Sequence, residues 1–213
     1  MSRPDFGPFE PAFALGELPV PRYLCLLNLR APSETLVVID RIRVGLDDPR
    51  RDAALHALLG QIDWRPHLVA AVALLLVEDP RPFLADLWSA VRAGSWVSPQ
   101  LLAVAAVRDP NFLTMAAARE TEGFVVRPPI GLTPAERHSA TGPASVPRRS
   151  AKELSALVAL CDATSQGAAW AAHVRAEPEL QRLIAADVDR GGDIATRWLA
   201  SVRQILHPKS DPK

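Results

Sequence analysis

Asp63-Trp64-Arg65-Pro66 opens an apolar run that ends at Val77, and Asp79-Pro80 then opens a second segment that closes at Gly94. Ser95-Trp96-Val97-Ser98-Pro99 begins the same succession again, with an apolar run to Val107 and an Asp109-Pro110 segment that reaches Gly123. Upstream, Ser33 to Leu46 followed by Asp48-Pro49 to Gly60 makes one earlier copy. The Asp-Pro pairs stand 31 and then 30 residues apart. Self-similarity at a period of roughly 20–50 residues marks stacked helical hairpins, each unable to bury its apolar face alone.

The chemistry of one repeat explains the helix starts. At Asp48, Asp79 and Asp109 a carboxylate can accept hydrogen bonds from the first free amides and suits the positive end of the helix dipole. The proline that follows needs no amide partner at a first helical position. Between Pro80 and Ala93, the residues Phe83, Leu84, Leu87, Trp88 and Val91 form one stripe of an amphipathic helix, and Gly94 supplies a left-handed stop. The runs 68–77 and 101–107 are apolar all round and are expected between neighbouring layers. Each repeat is therefore read as one buried and one half-exposed helix. The register also predicts a helix over 33–46 and a weaker one over 21–29, although the Val and Ile content of these stretches leaves a strand hairpin open.

Outside the repeats, residues 1–20 carry Phe6, Phe9 and Phe13 among prolines and glycines. They are expected to form an extended arm covering the open end of the first repeat. Residues 124–149 are rich in Pro, Gly and Arg, with Arg127, Arg137, Arg148 and Arg149 against Glu136. They read as a mobile linker or a binding loop. Ser150-Ala151-Lys152-Glu153 has the form of a capping box that would restart the helices. Residues 150–207 are expected to be helical and to pack on the repeat domain, 21–123. In this part Gly191-Gly192 is read as a helix stop and Asp193 as the cap of the last helix.

The 24 basic residues balance the 24 acidic ones, which argues against a dedicated nucleic-acid binder. Apolar residues are 48% of the chain, enough for a core. The longest apolar run, Leu68 to Val77, is half the roughly 20 residues needed to span a bilayer. The N-terminus lacks the plan of a signal peptide, so a cytoplasmic location is expected. Basic residues are nearly all arginine, the lysines being Lys152, Lys209 and Lys213, and this matches a GC-rich bacterial coding sequence. Cys25 and Cys161 fit no ligand or redox spacing and read as reduced thiols.

No constellation for chemistry emerges: the five histidines are scattered, and no phosphate-cradling loop or glycine-flanked serine is present. The string from Asp187 to Asp193 starts like a calcium loop but has Trp198 where the closing glutamate should stand, so it reads as helix-end chemistry. No catalytic residue, metal ligand or cofactor is assigned. Binding residues are sought instead on the repeat surface. Trp64 and Trp96 occupy matching positions beside helix starts, where they either anchor an interface or pad adjacent repeats. His67 and Gln100 follow Pro66 and Pro99 in the same register and are expected to be solvent-exposed in a first turn. Glu78, Arg81, Asp86 and Arg92, with Arg108 and Arg119 beyond, are expected along a charged face. Residues 47–126 carry seven arginines against ten carboxylates, an acidic excess suited to a basic partner.

On Trp64, Pro66 and Asp79-Pro80, then Trp96, Pro99 and Asp109-Pro110, the chain resembles HEAT-like helical-repeat proteins over about residues 33–123, with shorter units. The resemblance implies an all-α fold, a right-handed stack of antiparallel helix hairpins with a C-terminal helical part. It also implies protein binding without turnover. Proteins of this look include scaffolds, adaptors and small bacterial immunity proteins that neutralise a cognate toxin. Others are DNA-repair glycosylases, whose binding groove is basic where this repeat region is acidic. The immunity role is the leading expectation, the adaptor role comes second and the repair-like enzyme third. The oligomeric state is left open.

Overall fold

A computed structural model describes residues 5–14, 22–29, 32–124 and 146–206. Among these the chain is all-helical, without a strand. After a 3₁₀ helix at Gly7–Phe13 and a short one at Arg22–Leu24 come α1 (Cys25–Asn28), α2 (Pro32–Leu46), α3 (Arg51–Leu59) and α4 (Trp64–Leu76). They are followed by α5 (Leu84–Arg92), α6 (Ser98–Arg108) and α7 (Phe112–Glu122). The C-terminal part holds α8 (Val146–Asp162), α9 (Ala168–Ala176), α10 (Pro178–Ala185) and α11 (Gly191–Leu206).

The helix starts follow the aspartates by a shared device. Asp48, Asp79 and Asp109 each accept the amide two residues ahead, from Arg50, Arg81 and Asn111 at 2.8, 3.1 and 2.8 Å. Asp63 does the same for Arg65 at 3.1 Å and caps α4 directly. After each Asp-Pro pair the chain makes a tight turn before the α-helix proper begins, at Arg51, Leu84 and Phe112. Gly94, at φ 74°, ends the α5 segment in the left-handed region that glycine occupies without strain.

Packing follows the apolar patterning. Leu68 to Leu74 of α4 and Leu101 to Ala105 of α6 are fully buried, as expected for helices apolar all round. Phe83, Leu87, Trp88 and Val91 turn the α5 stripe inward. Alternate helices touch: α2 lies against α4, α4 against α6 and α6 against α8. On the other side, α3 covers α4, α5 covers α6, and α3 meets α5. Each fully buried Leu, Val or Ile contributes about 1.5–3 kcal/mol, so these two inner helices dominate the core.

The C-terminal part is more than a continuation of this row. α8 packs against α9, α10 and α11, and α11 also lies on α6. Trp198 of α11 donates its indole N–H to the Leu26 carbonyl of α1 at 2.7 Å, joining the two ends of the described chain.

Several expectations are corrected. The stretch at Gly7–Phe13 is a 3₁₀ helix rather than an extended arm, because two prolines tolerate that tighter turn; Phe9 is buried and the helix lies against α2 and α3. The stretch 21–29 is a 3₁₀ turn plus one α turn, closed by Leu29 at φ 56°. The Ser150 capping box does not start a helix, since α8 already begins at Val146. Ser150 instead hydrogen-bonds the Phe124 carbonyl, and Glu153 pairs with Arg119. Residues 125–145, most of the expected linker or loop, lie outside the described residues, as do 1–4, 15–21 and the end of the chain beyond 206.

Candidate functional site

The N-terminal ends of α4 and α6 come together where those two helices pack against each other. Trp64 and Trp96, matching residues of successive repeats, therefore meet: their ring centroids are 5.0 Å apart, with planes at 55°. Tyr23 stands edge-on to Trp64 at 6.3 Å, and Phe13 lies 5.6 Å from Tyr23, so an aromatic row runs along this rim. Cations cover two of its faces. Arg65 lies 5.1 Å over the Trp64 ring and the Lys152 ammonium 4.3 Å over Trp96, while also bonding the Trp96 carbonyl at 2.9 Å. Trp96 nevertheless remains 40% exposed.

Beside the two rings lies a cleft of about 270 Å³, lined by Gln61, Ile62, Asp63, Trp64, His67, Ser95, Trp96 and Arg149 among others. Burial pulls the Arg149 guanidinium below its ordinary range, a sign that this charge stands partly out of water at the wall. At the floor, Ser95 Oγ lies 2.8 Å from His67 Nδ1, and His67 Nε2 lies 3.1 Å from the Leu59 carbonyl. The carbonyl can only accept, so Nε2 carries the proton, and Nδ1 accepts from the Ser95 hydroxyl. His67 is buried, not solvent-exposed in a first turn as its register suggested, and so is Gln100, whose amide reaches the Leu27 carbonyl at 3.4 Å. Burial lowers the His67 pKa to about 4 and keeps the ring neutral. Every polar atom of this ring is paired, and Ser95 Oγ also accepts the Val97 amide at 3.4 Å. The pair braces α4 against the segment before α6, and Ser95, at the same sequence register as Asp63, likewise accepts the amide two residues ahead.

The other residues singled out from the sequence do not join Trp64 and Trp96. Glu78 and Arg81 line an open groove of about 460 Å³ with Asp79, Val107 and Arg108, beyond the far end of α4. At 13 residues, α4 separates the two by about 20 Å. Arg81 is held by Asp79 at 2.8 Å, and Arg108 bonds the Val77 and Glu78 carbonyls at the C-terminus of α4. Asp86 is engaged by His56 of α3 at 2.5 Å, a link between the two outer helices. Arg92 is half-buried in the last turn of α5. Arg119 departs furthest from the charged-face reading: it is buried and forks the Glu153 carboxylate at 2.7 and 3.2 Å.

Ser95 was legible as a site residue only through its register with Asp63. Arg149 and Lys152 had no local signal, because α8 brings them from beyond the repeats. Among the described residues no group of three or more His, Cys, Asp or Glu side chains could hold a metal ion, and no helix is long and apolar enough to cross a membrane. Cys161 is buried, with its thiol pushed up to about 12 by burial, and Cys25 is half-buried. Comparison with protein-family models, curated proteins and solved structures finds no match.

Proposed function

We propose that this chain is a protein-binding module, a HEAT-like α-solenoid closed by its C-terminal helices, that acts by holding a partner rather than by turnover. The observation that carries the reading is the pair of tilted, touching tryptophans at the mouth of a cleft, with one ring 40% exposed. Tryptophan and arginine are the residues in which interface energy concentrates, and a half-exposed indole beside a partly desolvated guanidinium can anchor a partner's side chain. The succession of contacts along α2, α4, α6 and α8 supports the stack.

Within this class the partner is a toxin made by the same bacterium, neutralised in the cytoplasm by occlusion. The acidic excess of residues 47–126 favours a toxin with a basic surface and speeds the encounter. The test is co-expression with the product of the adjacent reading frame. The expected result is rescue from killing by the wild-type chain and loss of rescue in Trp96→Ala. For the purified pair, Trp96→Ala should weaken binding at least tenfold. Charge reversal at Glu78 and Asp86 together should slow association and flatten its salt dependence. A neighbouring product that is harmless alone, or that kills equally with this chain present, overturns the toxin assignment and leaves an adaptor.

A further inference from the structure

We propose that α2 is a self-association surface whose partner is α2 of a second copy, packed antiparallel about a two-fold axis at Asp40. This inference is independent of the cleft. On α2, Val38, Ile39, Ile42 and Leu46 are buried, while Ser33, Leu36, Val37, Asp40, Arg43 and Val44 share the opposite, exposed face. Leu36 is 43%, Val37 41% and Val44 72% exposed. Seven large hydrophobic residues are exposed among the described residues, and these three share one helix face. Scattered singly they would need no explanation; clustered on the first long helix of a stack, they mark an end that neighbours do not cover.

The face is self-complementary. Leu36 and Val44 each lie four residues from Asp40, so antiparallel pairing there sets Leu36 of one copy against Val44 of the other, twice. Val37 then faces the aliphatic stem of the other copy's Arg43. Arg43 bonds Asp40 of its own helix at 2.8 Å, and in the pair it also comes within a turn of the other copy's Asp40. The axis is thus ringed by two carboxylates and two guanidiniums. The whole chain carries no net charge, so two copies approach without long-range repulsion.

The experiment is sedimentation or light scattering of the full chain over a concentration series. The mass should rise from one chain to two, as expected for a small, reversible interface. Val44→Arg should leave only the one-chain mass, with unchanged helical circular dichroism. Asp40→Lys should weaken pairing at least tenfold, and Asp40→Lys with Arg43→Glu should restore it by inverting the charge ring. A one-chain mass at every concentration overturns the proposal, as does a dimer that survives Val44→Arg. A folded double variant that stays monomeric overturns the axis at Asp40.

Discussion

Ser95 Oγ donates to His67 Nδ1 at 2.8 Å, and Ser95 holds in its repeat the position that Asp63 holds one repeat earlier. A helix-cap residue in one unit has thus become, in the next, a clamp on its neighbour. The histidine is buried between them and needs both of its bonds, because an unpaired polar atom there would cost about 1–3 kcal/mol.

This burial predicts an acid-sensitive fold. In the unfolded chain the imidazole takes up a proton near pH 6.5, but in the folded protein only near pH 4, because burial opposes the charge. Between those values the unfolded state binds the proton and the folded state does not. Stability from this source is therefore complete above about pH 6.5 and falls by roughly 3 kcal/mol as pH drops to 4. Urea unfolding at several pH values should show the slope, and His67→Asn should lose that part of it. An identical slope in the variant would assign the acid sensitivity elsewhere.

The three Asp-Pro turns should be unequal in strength. Asp109 is buried and receives the Trp88 indole N–H at 2.7 Å as well as the Asn111 amide, whereas Asp48 and Asp79 hold exposed arginines. Asp109→Ala strands an indole donor and uncaps a turn, so about 2–3 kcal/mol should be lost. Asp48→Ala and Asp79→Ala should cost clearly less, since solvent replaces the exposed pairs. Equal losses in chemical unfolding would show that the Trp88 bond contributes nothing.

The ion pair between α7 and α8 should behave as a buried charge pair. Burial raises the Glu153 pKa, against the pull of the Arg119 guanidinium 2.7 Å away. Removing one partner leaves the other charge uncompensated, so Arg119→Ala should cost about 3–5 kcal/mol. Replacing both by methionine should recover most of that loss. If the double variant is no better than the single one, the pair supplies geometry that apolar packing cannot replace.

What the sequence made legible was periodic or local. The Asp-Pro pairs mark helix starts, and the stripe from Phe83 to Val91 states which face is buried. The apolar runs mark the buried stretches 68–74 and 101–105 but not Val107, which is 41% exposed. The meeting of Trp64 with Trp96 follows their shared register. Contacts across long separations left no such trace. Lys152 reaches Trp96 and Trp198 reaches Leu26 through the path of the C-terminal helices, which no repeat dictates. Arg119 looked like a surface charge because its partner, Glu153, lies 34 residues away and passed for a capping-box residue. His67 looked exposed because a first-turn position usually is, and its ring partners, Leu59 and Ser95, lie on either side of it in the chain.

Gly191 and Gly192 show the same limit, and they support a sharp prediction. Two glycines before an aspartate read as a helix stop, yet both lie inside the first turn of α11, whose start is held by Asp187 accepting the Gly191 amide at 2.6 Å. Their role is closeness: a β-carbon on Gly191 would stand 2.1 Å from the Lys152 carbonyl oxygen, and one on Gly192 2.9 Å from that of Ser155. The backbones of α8 and α11 cross there with no room for a methyl group. Gly191→Ala should therefore push the helices apart and cost about 3 kcal/mol by overpacking. Gly60 is the control. It has ordinary right-handed dihedrals, and its added β-carbon would come no nearer than 3.2 Å to a carbonyl of its own helix. Gly60→Ala should shift stability by about 0.5 kcal/mol in either direction. Since Lys152 follows this crossing and covers Trp96, Gly191→Ala should also alter indole fluorescence before global unfolding. Wild-type stability in Gly191→Ala would mean that α8 and α11 do not approach so closely.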